Sequence, residues 1–445
     1  MGRTYDRREF IKTATAGSFG IGVATAGLQV QRANTPAHPK PLDLVRMGFV
    51  GVGHQGSSHV ENFLKIAGVE VRAICDIVPE KVAAIQQKVI AAGQPEPAAY
   101  ARGPEDFRRL CERDDLDLVF TATPWEWHAP ICAAALRAGK HAATEVPMAV
   151  TIDQCWELVE LSEQTGRHCV MMENCCYDRT EMMILHMVRQ GAFGDLIHAE
   201  CGYLHDLREL KLTDFYEGRW RIRHSISRNG DLYPTHGLGP VAQCLNVNRG
   251  NRFTTLVSMA SQSRGLNLWA AEHIGPDSPE AAQRYALGDV VTTLIHTAAG
   301  PTIVVTHDTD SPRPYSRNLL VQGTRGVVRK YPEEKVYLEG RSPADRWEDL
   351  AAYRDRYEHP VWRKLEEQSR GAGHGGMDYI EDYRLIECLR TGTPTDMDVY
   401  DGAAWSAVSQ LSERSIAAGS APQECPDFTR GRWRERLPLG IVGGG

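Results

Sequence analysis

Residues Val45 to Asp76 constrain this chain more than any other stretch. Val45–Val50 is a short apolar run with strand character, and it leads straight into Gly51-Val52-Gly53-His54-Gln55-Gly56. A helical pattern follows, with Val60, Phe63, Leu64 and Ala67 on one face and Gly68 as its stop. Val69–Cys75 reads as a second buried strand, closed by Asp76 twenty residues beyond Gly56. Strand, glycine turn, helix, strand and terminal acid together make a dinucleotide-binding unit. Gly51 permits the tight turn, Gly53 lets a pyrophosphate approach the backbone, and Gly56 lets helix and strand pack closely. His54 and Gln55, at the helix start, belong to the same set. Asp76 can accept hydrogen bonds from a ribose diol, and its charge repels a 2′-phosphate, so the expected cofactor is NAD rather than NADP.

The chain has 445 residues, enough for two domains. Its net charge of −7 argues against a nucleic-acid partner, and no apolar stretch is long enough to span a bilayer. Tyr5-Asp6-Arg7-Arg8-Glu9-Phe10-Ile11-Lys12 precedes a small-residue run from Thr13 to Val30. The arginine pair, the apolar residues after it and the following Lys resemble a bacterial twin-arginine export signal. That predicts export to the periplasm or medium by the twin-arginine machinery, with cleavage near Ala33 to Ala37. Export in the folded state fits a protein that acquires NAD in the cytoplasm. The eleven cysteines lack C-x-x-C or zinc spacing, so no metal is expected. Cys75 and Cys169 lie in strand-like runs as packing residues, and Cys175-Cys176 reads as a packed pocket wall.

Residues 1–37 are thus assigned to signal and linker, 38–176 to an NAD-binding domain and 177–445 to a substrate-binding domain. In the second segment, strands at Asp117–Thr123, His141–Glu145 and Cys169–Asn174 alternate with helical patterns at Pro130–Gly139 and from Ile152 to Gly166. That order predicts an α/β Rossmann domain with a doubly wound parallel sheet. Beyond Tyr177 a helix at Met182–Gly191 precedes strand-like runs at Ile197–Tyr203, Thr254–Ser261, Val290–His296, Thr302–Thr309 and Asn318–Gln322. Strands in succession predict an α+β domain with a largely antiparallel open sheet. Its exposed face is a natural surface for a homo-oligomer. A final helix around Tyr400–Ala418 has mixed faces and can pack back across the interface.

Ligands of such a sheet bind outside the carboxyl ends of its strands. This groups the glycine turn and Asp76 with Trp125-Glu126-Trp127-His128, Glu145-Val146-Pro147 and Glu173-Asn174. Trp125 and Trp127 can flank a nicotinamide or sugar face, or simply pack against the core. Asn174 can hydrogen-bond the nicotinamide ribose or amide. Glu145 can bond the sugar or the ribose, or serve structurally at its strand end.

The fingerprint, Thr121-Ala122-Thr123-Pro124, His128 and the Glu-x-Pro strand end resemble the family of glucose–fructose oxidoreductase and inositol dehydrogenase. That family usually carries a catalytic Lys at the middle of Glu-x-Pro, where this chain has Val146, so an ordinary dehydrogenase is disfavoured. Tyr203, Gly218-Arg219-Trp220-Arg221, Gly230-Asp231-Leu232-Tyr233-Pro234-Thr235-His236-Gly237-Leu238-Gly239-Pro240, Asn248-Arg249-Gly250, Ser311-Pro312-Arg313-Pro314-Tyr315, His374-Gly375-Gly376-Met377-Asp378-Tyr379 and Pro426-Asp427-Phe428-Thr429-Arg430-Gly431 resemble glycoside hydrolase family 109. The resemblance runs from about Leu44 to Trp433.

It implies an NAD-dependent glycosidase acting on terminal α-N-acetylgalactosaminides. The implied route is oxidation at C3, deprotonation at C2, elimination from C1, addition of water and re-reduction. Such a route needs acids and bases of high or tunable pKa rather than paired carboxylates. By the resemblance, His236 is the acid/base and Tyr177 the C2 base. Tyr203, Arg221, Tyr233, Tyr315 and Glu145 would bind the sugar, with Tyr233 also near the cofactor. The cofactor set is Gly51, Gly53, His54, Gln55, Gly56, Asp76, Trp125, Trp127, His128, Glu145, Val146, Asn174 and Tyr233. Arg219 and Arg223 compete with Arg221. A sugar or polyol dehydrogenase and a secreted sugar-binding protein holding structural NAD are the other readings.

Overall fold

A computed structural model describes residues 40–214, 218–438 and 440–442. The expected export signal, residues 1–37, lies outside the described residues. The first apolar run forms β1 (Val45–Val50), the glycine turn opens α1 (His54–Phe63), and β2 (Val69–Cys75) follows. Next come β3 (Ala98–Tyr100), β4 (Leu118–Thr121), α2 (Trp125–Arg137), β5 (His141–Thr144), α3 (Ile152–Thr165) and β6 (Cys169–Met171). The sheet order is β3-β2-β1-β4-β5-β6, and every pairing is parallel. The order reverses between β1 and β4, and a crevice opens there at the strand ends.

The sequence pattern placed the second helix from Pro130, whereas α2 begins at Trp125 and carries Pro130 inside it. Proline favours the first helical position, and that preference misled the boundary. α3 starts and stops as its signals require: Thr151 and Gln154 form a capping box, and Gly166 closes it at φ 65°.

In the second half, α4 (Arg179–Arg189) is capped by Asp178 and leads to β7 (Leu196–Leu204). Two helices, α5 (Trp220–Ser227) and α6 (Thr235–Cys244), precede β8 (Phe253–Ala260), β9 (Val290–Thr297) and β10 (Thr302–Asp308). Then come β11 (Leu320–Gly323), β12 (Gly326–Arg329), β13 (Lys335–Leu338), β14 (Glu348–Asp349), α7 (Met377–Thr391), α8 (Val399–Ala417) and β15 (Gln423–Glu424). The nine strands run β14-β13-β12-β11-β7-β10-β9-β8-β15. β7 and β10 pair in parallel, and the other pairings are antiparallel. Burial alternates residue by residue along β9, so one face of the sheet packs and the other meets solvent.

The last two long helices tie the halves together. On one face of the parallel sheet, Phe49, Phe63 and Phe120 meet with ring centroids 5.4 to 5.6 Å apart. Leu385, Ile386 and Leu389 of α7 join that same core. α8 reaches both halves, since Ser406 accepts from the Met148 amide, just past β5, at 3.1 Å and Ser415 from the Ser258 amide on β8 at 2.9 Å. Gly402 permits the approach, because a Cβ there would stand 2.6 Å from the Met148 sulfur. Among the described residues no helix is long and apolar enough to cross a membrane.

Candidate active site

The glycine turn separates two kinds of constraint. Gly51 has φ 81°, and a Cβ on it would lie 2.7 Å from the Ala122 carbonyl oxygen; one on Gly56 would lie 2.0 Å from the Gly51 oxygen. The chain's own packing therefore demands both. A Cβ on Gly53 would meet nothing closer than Lys81 Nζ at 3.7 Å, so the fold itself does not require that glycine. The space above Gly53 suits a pyrophosphate at the start of α1. Asp76 accepts from the amides of Val52 at 2.8 Å and Val78 at 2.9 Å, which sets the turn at the strand ends. Each carboxylate oxygen keeps a lone pair for a ribose hydroxyl. His54 is exposed in the first turn of α1.

α7 supplies a hub that the motifs alone did not reveal. Asp378 accepts from Asn174 Nδ2 at 2.8 Å and from Gln55 Nε2 at 3.3 Å, and it pairs with His374 at 2.7 Å. Burial works to raise the Asp378 pKa, but His374, His59 and Asn174 hold it down at about 2. Glu145 lies 2.7 Å from His59 Nε2, and His59 Nδ1 lies 2.9 Å from Asp382. Burial alone would lower the His59 pKa, but the two carboxylates drive it well above the usual histidine range. Glu145 thus anchors α1 and α7 to the end of β5, with Val146 buried beside it.

The sugar candidates converge. Tyr203 ends β7, and its ring lies 4.8 Å from Tyr233, 5.4 Å from His236 and 6.1 Å from Tyr315. Tyr233 stacks on Trp125 at 5.2 Å and meets His236 edge-on at 4.8 Å. The Arg221 guanidinium covers Trp125 at 5.1 Å and Tyr233 at 5.4 Å. Arg219 instead pairs with Glu280 at 2.7 Å, which separates it from this group. Two glycines explain the convergence. A Cβ on Gly237 would stand 2.3 Å from the Gly202 amide, so α6 rests on the β7 backbone and brings His236 beside Tyr203. A Cβ on Gly239 would stand 2.8 Å from Glu173 Cγ, and that close approach brings His236 to Glu173.

Glu173 is fully buried, and its Oε1 lies 2.6 Å from His236 Nδ1. A carboxylate there holds the proton on Nδ1 and leaves the Nε2 lone pair to act as a base. Glu173 was visible only as a strand-end acid; its pairing needs the fold. His205 was missed outright: its Nδ1 accepts from the Tyr203 hydroxyl at 3.0 Å, and burial lowers its pKa, which favours the neutral acceptor. The available signal was the Tyr-x-His spacing at the end of a strand.

Three expected site residues have other partners in the fold. Tyr177 is buried with its hydroxyl on Asp396 at 3.3 Å, and its carbonyl accepts from Trp362. Burial first, then Asp396 and Glu381, push its pKa well above the usual tyrosine value, so the hydroxyl is held protonated beside Asp396. Trp127 turns its ring to Phe107, at 6.1 Å, rather than to the aromatic group around Trp125. His128 is buried with its two ring nitrogens 2.7 Å from the carbonyls of Pro147 and Thr123, so its side chain has none left for a cofactor. His236 stands in the first turn of α6.

Residues 45–173 match the oxidoreductase family with an NAD-binding Rossmann fold. Residues 177–435 match the C-terminal domain of glycosyl hydrolase 109. The chain belongs to glycosyl hydrolase family 109. A family 109 protein of Solibacter usitatus is 46% identical, over 97% of this chain and 99% of its own length. Another, from Shewanella sp. strain MR-4, is 44% identical over 98% and 99%. Among solved structures, levoglucosan dehydrogenase in complex with NADH and levoglucosan aligns with TM-score 0.64 at 21% identity, covering 86% of this chain and all of that one. An NAD-binding oxidoreductase from Klebsiella pneumoniae aligns with TM-score 0.67 at 17% identity, over 86% of this chain and all of its own. These likenesses establish the fold. The family 109 protein is therefore an NAD-dependent glycoside hydrolase, and Gly53 with the Asp76 carboxylate fits that cofactor.

Proposed function

We propose that this family 109 enzyme hydrolyses terminal α-linked N-acetylgalactosaminides by a redox-assisted elimination. The observation that carries the reading is the His236–Glu173 pair at 2.6 Å, set among Tyr203, Tyr233, Tyr315 and Arg221. Gly51, Gly53, Gly56, Asp76 and Asn174 would hold NAD⁺, which supplies a reversible hydride acceptor for C3 of the sugar. His236 Nε2 takes the proton of the C3 hydroxyl, and the Glu173 carboxylate stabilises the imidazolium. With a ketone at C3, the C2 hydrogen becomes acidic. Tyr203 takes that proton while its own passes to His205 Nδ1. The electron pair left on C2 forms the C1–C2 double bond and expels the aglycone oxygen. Water then adds at C1, a proton returns to C2, and the C3 ketone regains its hydride and, from His236, its proton to restore the hydroxyl. Arg221 and the tyrosine rings orient the sugar, through hydroxyl hydrogen bonds and contacts to its C–H faces. This reading moves the C2 base from Tyr177 to Tyr203.

The test is incubation with nitrophenyl α-N-acetylgalactosaminide in deuterated water without added cofactor. Aryl release with deuterium at C2 supports the proposal. Stoichiometric NADH without cleavage would instead mark a net sugar dehydrogenase. Export by the twin-arginine pathway is a second part of the proposal, supported by Arg7-Arg8 and the apolar run after them. Replacing both arginines by lysine should hold the folded, NAD-containing protein in the cytoplasm, as read by cell fractionation.

A further inference from the structure

Glu173, Cys175 and His236 each offer a donor atom, and the three atoms lie within 4.8 Å of one another. Among the described residues no other three of His, Cys, Asp and Glu are so placed. No cysteine spacing announces the group, because Glu173 and Cys175 come from the 3₁₀ turn after β6 while His236 comes from the first turn of α6. Glu173 Oε2 is a second pointer: it is buried without a hydrogen-bond partner in a residue with no exposed surface. A buried carboxylate oxygen in that state is costly unless a cation or donor meets it.

We propose that Glu173, Cys175 and His236 form an inhibitory site for a borderline-soft divalent cation, Zn²⁺ being the best match. Carboxylate, thiolate and imidazole are all zinc ligands, and three protein ligands leave one position for water. The two anionic donors balance the charge of the dication in a buried setting. Zinc bonds of about 2.0 to 2.3 Å place tetrahedral donors roughly 3.3 to 3.6 Å apart. The 2.6 Å contact between Glu173 and His236 must therefore open by about 0.7 Å. That opening is why the metal interferes rather than builds the site. Binding releases the Cys175 thiol proton and occupies His236 Nδ1. The remaining imidazole proton then resides on Nε2, and His236 loses the lone pair that takes the C3 hydroxyl proton. The inhibitory half of the proposal rests on the role given to His236; the binding half does not.

The experiment titrates the full-length, NAD-containing enzyme with Co²⁺ and follows its absorption, with Zn²⁺ inhibition measured in parallel. A thiolate-to-cobalt charge-transfer band in the near ultraviolet is expected, saturating at one equivalent and displaced by Zn²⁺. Zn²⁺ should inhibit cleavage at micromolar concentration, reversed by chelator. Cys175→Ser should lose the band and weaken Zn²⁺ inhibition at least tenfold, with basal cleavage within about twofold of wild type; Cys175→Ala serves if the serine variant is unstable. No thiolate band in the wild type, or a band retained in both variants, overturns the site. A band that depends on Cys175 while saturating Zn²⁺ leaves cleavage unchanged overturns the inhibition and the base role of His236, and leaves the metal site standing.

Discussion

Asp231→Asn should stabilise this protein more as pH rises. Asp231 lies three residues before Pro234, which caps α6, and has no exposed surface; its amide donates to Ser412 at 2.8 Å. Neither carboxylate oxygen has a well-formed hydrogen bond, and burial, opposed only by the nearby Tyr233 amide, raises its pKa from 3.8 to about 7. The folded state therefore holds a proton that the unfolded state releases between those two values. Stability falls as pH climbs through that window and levels off above pH 7, the reverse of a salt-bridged aspartate. A shift of about three pH units corresponds to ~4 kcal/mol in all, of which roughly 2.5 kcal/mol is spent between pH 5 and pH 8. Asparagine keeps the shape and does not titrate, so its constant effects cancel when the two proteins are compared across pH. At ~2.1 cal/mol/K of unfolding entropy per residue, a chain of this size gives about 1 °C per kcal/mol. The variant's melting temperature relative to wild type should thus rise by roughly 2 to 3 °C from pH 5 to pH 8. Scanning calorimetry with saturating NAD reads this directly. Parallel pH profiles for the two proteins would refute the reasoning, because they would mean that Asp231 is ionised and solvated.

Other substitutions separate cofactor, chemistry and packing. Gly53→Ala should fold with near-native melting temperature yet lose most bound NAD, as read by the absorbance released on denaturation. Gly56→Ala should fail to fold properly, because its Cβ would stand 2.0 Å from the Gly51 oxygen. His236→Ala should abolish cleavage with NAD still bound, and Glu173→Gln should lower kcat at least tenfold with little change in KM. Tyr203→Phe should stop deuterium exchange at C2, whereas Tyr177→Phe should lower the melting temperature and leave exchange intact; equal loss of exchange in Tyr177→Phe would restore Tyr177 as the base.

What could be read without coordinates was local. Gly51 to Asp76 is a contiguous unit whose side chains and backbone conformations serve one turn, and the succession of strand-like runs after Tyr177 carries the open sheet. The turn after β6 depended on direction. Asn174–Tyr177 is a single 3₁₀ turn, in which residues three apart eclipse one another. Asn174 and Tyr177 consequently share a side, toward Asp378 and Asp396, while Glu173 turns to His236. A strand-end position alone does not reveal that rotation. The His236–Glu173 pair was equally hidden, because it arises from how closely two glycines let α6 approach β7 and the end of β6.

Under the proposed reaction, the same geometry would keep the cofactor with the protein. Gln55, at the phosphate end of the crevice, and Asn174, at the end of β6, both bond Asp378 on α7. His59 and Asp382 fasten that helix to α1 a turn further on, with Asn62 donating to Asp382 at 3.0 Å. Opening the crevice would expose a buried, charged His59 between two carboxylates and would break contacts from both sides of the cofactor cradle. A dehydrogenase that exchanges NAD at every turnover gains nothing from such a clasp. An enzyme that returns the hydride to the same sugar needs no exchange, so the clasp costs it no turnover.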